Sequence, residues 1–202
     1  AARAVSGKTR VVPAKEQRPP VFACPEEALQ AVRRRGWISG RGHNVLVHME
    51  AGYPSKQWNP ARFRELIGRL ANRGSAVTLI GIKADGPCGD ARAQDLRGKT
   101  GLLELCGLIA QADLLIGNDS APAHVAEALG TPCVVLFSAA NEPARWRPVG
   151  DKVRLLFHSV PCSPCESRKC LRPTHECMDA IAVDAVAALA EEILQAKKER
   201  VV

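Results

Sequence analysis

The sequence predicts an α/β fold, a Rossmann-like doubly wound parallel sheet, on three observations. Short apolar runs alternate along the chain with stretches whose apolar residues recur every three or four positions. The runs are apolar throughout, as strands covered on both faces are, and not alternately polar. Most of the periodic stretches open on a capping residue or close on glycine.

Taken in order, residues 1–25 hold four prolines and little periodicity, and Glu26 to Arg35 suggests a short charged helix closed by Gly36. Residues 1–43 therefore read as a linker or lead-in carrying one helix, ahead of a domain spanning 44–202. Val45 to His48 is a strand. Asn59-Pro60 is a cap followed by proline at the first helical position. Phe63, Leu66, Ile67 and Leu70 then share one helical face, which Gly74 ends. Ala76 to Ile80 is the next strand, and Leu102, Leu105, Cys106 and Ile109 form another stripe. Leu114 to Ile116 is a strand, and Asn118-Asp119-Ser120 reads as the cap of a helix from Ala121 to Leu129. Gly130-Thr131-Pro132 breaks that helix before a strand from Cys133 to Phe137. Val153 to Phe157 is one more strand, and residues 183–198 form the last helix, with Val186, Leu189, Ala190, Ile193 and Leu194 on one face.

Composition narrows the function. With 202 residues, 46% apolar and 24% charged, the chain has the makeup of an ordinary globular domain that needs no disulfide to own a core. It does not open on Met, as expected of a fragment or a trimmed product. No apolar run reaches the ~18 residues of a membrane span, and the start lacks the layout of a signal peptide, so a reducing, cytoplasmic setting is expected. The net charge of +7 is concentrated early: residues 1–43 hold nine Lys/Arg against three Asp/Glu. The run Arg33-Arg34-Arg35 reads as a solvated helix face. The near-neutral remainder and only eight aromatic residues argue against nucleic acid as a partner.

In a doubly wound sheet, ligands bind beyond the carboxyl ends of the strands. The loops that matter are thus 49–59, 81–87, 117–122 and 138–148. Gly117 to His124 leaves a strand and opens a helix, whose unpaired N–H groups and positive dipole end suit an anion. Ser120 adds a hydroxyl and His124 an imidazole that a diphosphate would engage. The plainer alternative is a capped helix with His124 packed. Lys56 places a compact charge in the loop after the first sheet strand, and Asp85 stands where an acid accepts hydrogen bonds from ribose hydroxyls, or is simply a turn residue before Gly86-Pro87.

The string from His48 through Lys56-Gln57-Trp58 to Phe63, with Leu79-Ile80-Gly81, Leu102 to Asp113 and Ile116 to Ala126, resembles glycosyltransferase family 9, the ADP-heptose:lipopolysaccharide heptosyltransferase family. The resemblance covers about residues 20–198 and corresponds to the family's C-terminal half. It implies the C-terminal, donor-binding domain of a GT-B glycosyltransferase. By position, Lys56 would meet the donor phosphates, and Ser120, Ala121 and His124 would hold the diphosphate. Asp119 would orient that loop or touch the sugar, and Asp85 would bind the ribose. The implied donor is ADP-heptose or a similar nucleotide-sugar. The implied acceptor is of lipopolysaccharide type and is reached through an N-terminal domain that also supplies the catalytic base. The displacement is inverting and needs no metal. The implied location is the inner face of the inner membrane, with peripheral contact. The sequence departs from the family at His48-Met49-Glu50-Ala51-Gly52, where His-Pro-Gly-Ala-Ser is usual. It departs again at Ala121 and Lys83, where glycine is common.

Cys162, Cys165, Cys170 and Cys177 fall within sixteen residues, and His175 lies among them. Four thiolates so close suit a structural zinc or iron, while disulfides and free thiols remain open. Cys106 and Cys133 fall on apolar faces and read as core. Two other functions stay open: another nucleotide-sugar enzyme of the same fold, and a non-catalytic interaction module anchored by the cysteines.

Overall fold

One seven-stranded sheet organises the chain, and its strand order fixes where a ligand can bind. The computed structural model describes residues 9–12, 22–83, 86 and 90–199. Its strands are β1 (Arg10–Val12), β2 (Asn44–His48), β3 (Ala76–Ile80), β4 (Gln94–Asp95), β5 (Leu114–Asn118), β6 (Cys133–Phe137) and β7 (Val153–Phe157). They lie in the order β1-β7-β6-β5-β2-β3-β4. All pairings are parallel except β1 with β7. The chain winds outward from β2 to β3 and β4, then returns to β5 on the other side of β2 and winds away through β6 and β7. The crevice between the carboxyl ends of β2 and β5 is therefore the switch point, the place where a doubly wound sheet offers a binding cleft.

Helices cover both faces of the sheet. Residues α2 (Pro60–Asn72) and α7 (Val183–Glu199) cover one face, packing Phe63, Leu66, Ile67, Val186 and Ala190 against Val45, Val47, Leu114, Ile116 and Val134. Residues α3 (Leu102–Gln111) and α4 (Ala121–Leu129) cover the other, packing Leu108, Ile109, Ala123 and Ala126 against Leu46, Leu115, Cys133 and Val135. Neighbouring residues of one strand thus enter different cores, which is why the strands must be apolar at every position. Cys133 is core as expected, and burial pushes its thiol up to about 12. Cys106 is only half-buried, in contrast to the expectation. Two single-turn helices, α5 (Pro143–Trp146) and α6 (Glu176–Asp179), lie in the loops near the strand ends.

Helix α2 starts as its sequence requires. Asn59 accepts from the Ala61 N–H at 2.8 Å, and Pro60 occupies the first turn. Trp58, fully buried, donates Nε1–H to the Ile181 carbonyl at 2.9 Å and meets Phe63 edge to face at 4.8 Å. One tryptophan thereby ties the loop after β2 to the segment leading into α7.

The early segment is more than a lead-in. Residues 10–12 extend the sheet by pairing antiparallel with β7, and Thr9 donates to the Ala180 carbonyl. Helix α1 (Glu26–Arg34) packs on α3 through Ala28 and Val32, both fully buried. The helices approach so closely that a Cβ on Gly107 would lie 2.3 Å from the Ala28 carbonyl oxygen. Arg33, Arg34 and Arg35 are exposed as expected, yet Arg33 bonds Gln111 and Arg35 pairs with Glu104 at 2.8 Å, both on α3. Packing therefore joins α1 to the domain across the boundary expected at residue 43.

Because the obstacle at Gly107 is backbone, it cannot yield by a rotamer change. Gly107→Ala is expected to lower the unfolding free energy in urea by about 1–3 kcal/mol. A variant within about 0.5 kcal/mol of wild type would contradict this account of the α1–α3 contact.

Candidate functional site

At the switch point β2 and β5 are adjacent, with His48 opposite Gly117. A Cβ on Gly117 would stand 2.8 Å from the His48 carbonyl oxygen, so glycine is what lets the two strand ends lie this close. The next residue, Asn118, is 1% exposed, and its carboxamide is used in full. It accepts from the Trp58 N–H at 3.0 Å and donates to the Met49 and Glu50 carbonyls at 2.8 and 3.3 Å. Asn118 therefore straps the loop 49–58 over the strand ends instead of capping α4. Satisfying that many buried backbone groups with one side chain fixes the loop without an apolar contact.

The strap brings Lys56 to Asp119. Lys56, on the 3-10 turn Pro54–Lys56, holds its Nζ 2.7 Å from Asp119 Oδ2, and Asp119 is 4% exposed. Asn141, from the loop after β6, donates to the same oxygen at 3.3 Å. A carboxylate this buried stays charged only beside a cation and a donor. The loops after β2, β5 and β6 thus meet at one carboxylate.

Beside it stands Ser120, the N-cap residue of α4, half-buried and extended in backbone. Its hydroxyl makes no cap bond; it lies 3.1 Å from His48 Nδ1. His48 was not expected as a site residue. It is a polar residue at the carboxyl end of a buried strand next to the switch point, and that placement was the available signal. Its Nε2 faces Glu50 Oε2 at 4.0 Å, and the Glu50 carboxylate accepts from the N–H groups of Ile82 and Lys83 at 2.9 and 2.7 Å. Glu50 therefore fastens the loop after β3 to the loop after β2. It fits because Gly81 has no side chain: a Cβ there would lie 2.7 Å from Glu50 Oε1.

Ala121 is exposed at the first turn of α4. His124, also in that turn, is half-exposed and leans along the helix, with Nδ1 3.6 Å from Glu127 Oε2. The Asp119–Ser120–Ala121 run and Lys56 converge, while His124 stands beside them. Asp85 lies outside the described residues.

The four cysteines converge on one small cavity of ≈ 20 Å³, lined also by His175 and Ser55. Burial is the chief cause raising the Cys177 thiol, and the other three cysteines add to it. The donor types suit zinc or iron. Among the described residues, however, no three His, Cys, Asp or Glu side chains are grouped to hold a metal ion. A larger cavity of ≈ 560 Å³ lies at the opposite edge of the sheet, near Thr131, Lys152, Arg154 and Lys197. Its three cations are already engaged, Lys152 with the Gly130 carbonyl, Arg154 with the Asp151 carbonyl and Lys197 with Asp113. It is also at the amino ends of the strands, where no loop convergence supplies specificity.

Burial holds the His48 imidazole below its ordinary value of 6.5, more than the nearby Glu50 charge raises it. The unfolded chain therefore takes up a proton that the native state resists. His48's contribution is whole above pH 6.5 and is lost as pH falls below it. Urea unfolding between pH 8 and 5 is expected to show a smaller loss in His48→Gln than in wild type; equal slopes would contradict the burial argument.

Comparison with known proteins fits this geometry. The family model for glycosyltransferase family 9 (heptosyltransferase) matches residues 11–175. Lipopolysaccharide heptosyltransferase 3 of Escherichia coli is 37% identical over 135 residues, 61% of this chain and 39% of that protein. The chain thus spans about two-fifths of this relative's length. The structure of E. coli ADP-heptose LPS heptosyltransferase II superposes with a TM-score of 0.73 at 22% identity, over 89% of this chain and 54% of that one. The dodecameric iron-containing heptosyltransferase TibC, solved with ADP-D-beta-D-heptose, gives 0.65 at 21%, over 79% and 47%. These likenesses establish the GT-B type of fold, and the match over most of the sequence establishes more: the chain belongs to glycosyltransferase family 9, the heptosyltransferases.

Proposed function

We propose that this chain is the donor-binding half of an inverting glycosyltransferase that moves heptose from ADP-heptose to a lipopolysaccharide core or similar acceptor. The observation that carries the reading is the convergence of Lys56, Asp119 and Ser120 on the N-terminus of α4 at the sheet's switch point. A nucleoside diphosphate there would take its charge compensation from Lys56 and from the helix N-terminus, with Ser120, Ala121 and His124 around the diphosphate. Asp119 would orient Lys56 between carboxylate and phosphate, and Asp85 would bind the ribose. A leaving diphosphate gathers negative charge as the glycosidic bond breaks, so fixed positive groups at this point lower the barrier without a catalytic metal.

The acceptor and the general base belong to a second domain across the cleft. Tyr53, Ile82, Trp146 and Leu171 are apolar and 40–85% exposed, and all project from loops gathered at the donor edge. A surface of this kind suits a facing domain. The working place is the cytoplasmic face of the inner membrane, with peripheral contact; among the described residues no helix is long and apolar enough to cross a membrane. Cys162, Cys165, Cys170 and Cys177 would close round a structural zinc or iron, as their convergence and the iron of the TibC relative suggest.

Calorimetric titration with ADP, UDP and GDP tests the donor site. Saturable binding that prefers ADP is expected, weakened at least about tenfold in Lys56→Met, a loss of about 1.4 kcal/mol. Absence of binding to all three, or unchanged affinity in Lys56→Met, would overturn the reading; a preference for UDP or GDP would change the donor. For the cysteines, metal analysis of anaerobically purified protein is expected to find zinc or iron at about one equivalent per chain. Finding neither would refute the metal.

A further inference from the structure

The cysteine segment lies against the donor side of the sheet, and its contacts fall on two places. The first is Ser55, 2% exposed and directly before Lys56. Three groups of the segment hold it. Its N–H donates to the Arg168 carbonyl at 3.1 Å, its hydroxyl to the Ser167 carbonyl at 2.5 Å, and its own carbonyl lies 2.9 Å from His175 Nε2. A carbonyl only accepts, so Nε2 carries the ring proton. The second place is the loop after β6. The Glu166 N–H donates to the Ala140 carbonyl at 2.9 Å, and the Ala139 N–H faces the Cys177 sulfur. That loop continues into Asn141, the second donor to Asp119.

We infer that the segment 160–178 is a brace for the donor site, and that Ser55 and His175 are positioning residues that set the Lys56–Asp119 pair. The inference rests on the reading of Lys56 as the phosphate-binding cation and adds how that cation is held. The physical reason is the nature of lysine. Its four-carbon stem has no preferred direction, and aiming it costs side-chain entropy unless its backbone is fixed. The turn Pro54–Lys56 is a single 3-10 turn with little internal bonding. The two backbone groups and the hydroxyl of Ser55 find their partners in the cysteine segment, so that segment determines where the Lys56 backbone sits. The same segment fixes Ala140, and through it the start of the loop that delivers Asn141 to the other side of the ion pair. Both halves of the pair are thus referred to one stretch of chain, and that stretch is gathered at its base by four cysteines on one cavity. On this account the cysteines matter to the donor through Ser55 and Ala140, not by touching it.

A double-mutant cycle tests this, with ADP as the probe, calorimetric affinity as the readout, and the melting temperature of each variant as a check on folding. His175→Ala is expected to weaken ADP binding roughly fivefold, the worth of one positioning hydrogen bond. His175→Gln, which keeps an N–H donor at the same reach, is expected to restore most of it. In a Lys56→Met background, His175→Ala is expected to have no further effect, because it acts only through Lys56. An equal loss in both backgrounds would overturn the inference in favour of general destabilisation, as would unchanged affinity in His175→Ala while Lys56→Met binds weakly. If Lys56→Met itself binds ADP as wild type does, the donor-site reading fails, and with it the brace.

Discussion

A lysine ammonium 2.7 Å from a carboxylate that is 4% exposed is the constraint on which the rest of this site depends. The carboxylate cannot be buried alone, and the lysine cannot be aimed alone. Each requirement recruits a different loop. Lys56 arrives because the Asn118 carboxamide straps the loop after β2 over the strand ends. Asp119 is buried because Gly117 lets β5 approach β2 closely. Asn141 completes the arrangement from the loop after β6. The polar detail at the strand ends supports one charge placed at the switch point of the sheet.

The neighbouring polar groups follow the same logic of mutual satisfaction. His48 is buried because it ends a strand that is covered on both faces, and it finds Ser120 as its partner. The Glu50 carboxylate takes up two backbone N–H groups from the loop after β3. Three loops are thereby linked by side-chain hydrogen bonds and not by apolar packing. This leaves the apolar side chains of the rim, Tyr53 and Trp146 among them, turned outward.

The main elements were legible in the sequence because both of its periodicities are strong. The continuous apolar strands and the stripe Phe63-Leu66-Ile67-Leu70 each have one physical explanation. Strands β1 and β4 were not legible, since three and two residues carry no periodicity, and their pairing is decided by the edges they meet. The docking of α1 was hidden for a different reason. Its arginines read as a solvated face, and they are exposed, yet the contact is made by Ala28 and Val32 against a glycine of α3 that nothing local marks. In the site, Lys56 and Ser120 were singled out by their loops and Asp119 by the family resemblance. Their partners His48, Glu50, Asn141 and Ser55 were not, because a hydrogen bond between residues tens of positions apart leaves no trace in spacing. Ser120 is the N-cap residue as expected, but its hydroxyl turns to His48 and the Asn118 carboxamide to the loop after β2: short polar residues before a helix usually bond locally, and here tertiary partners outcompete the local ones.

The most direct measurement is an experimental structure of this chain with ADP. The account predicts diphosphate oxygens within hydrogen-bonding reach of Lys56 Nζ and the first turn of α4, with Asp119 still beside the ammonium. A nucleotide lodged instead among Lys152, Arg154 and Lys197, at the amino ends of the strands, would contradict it.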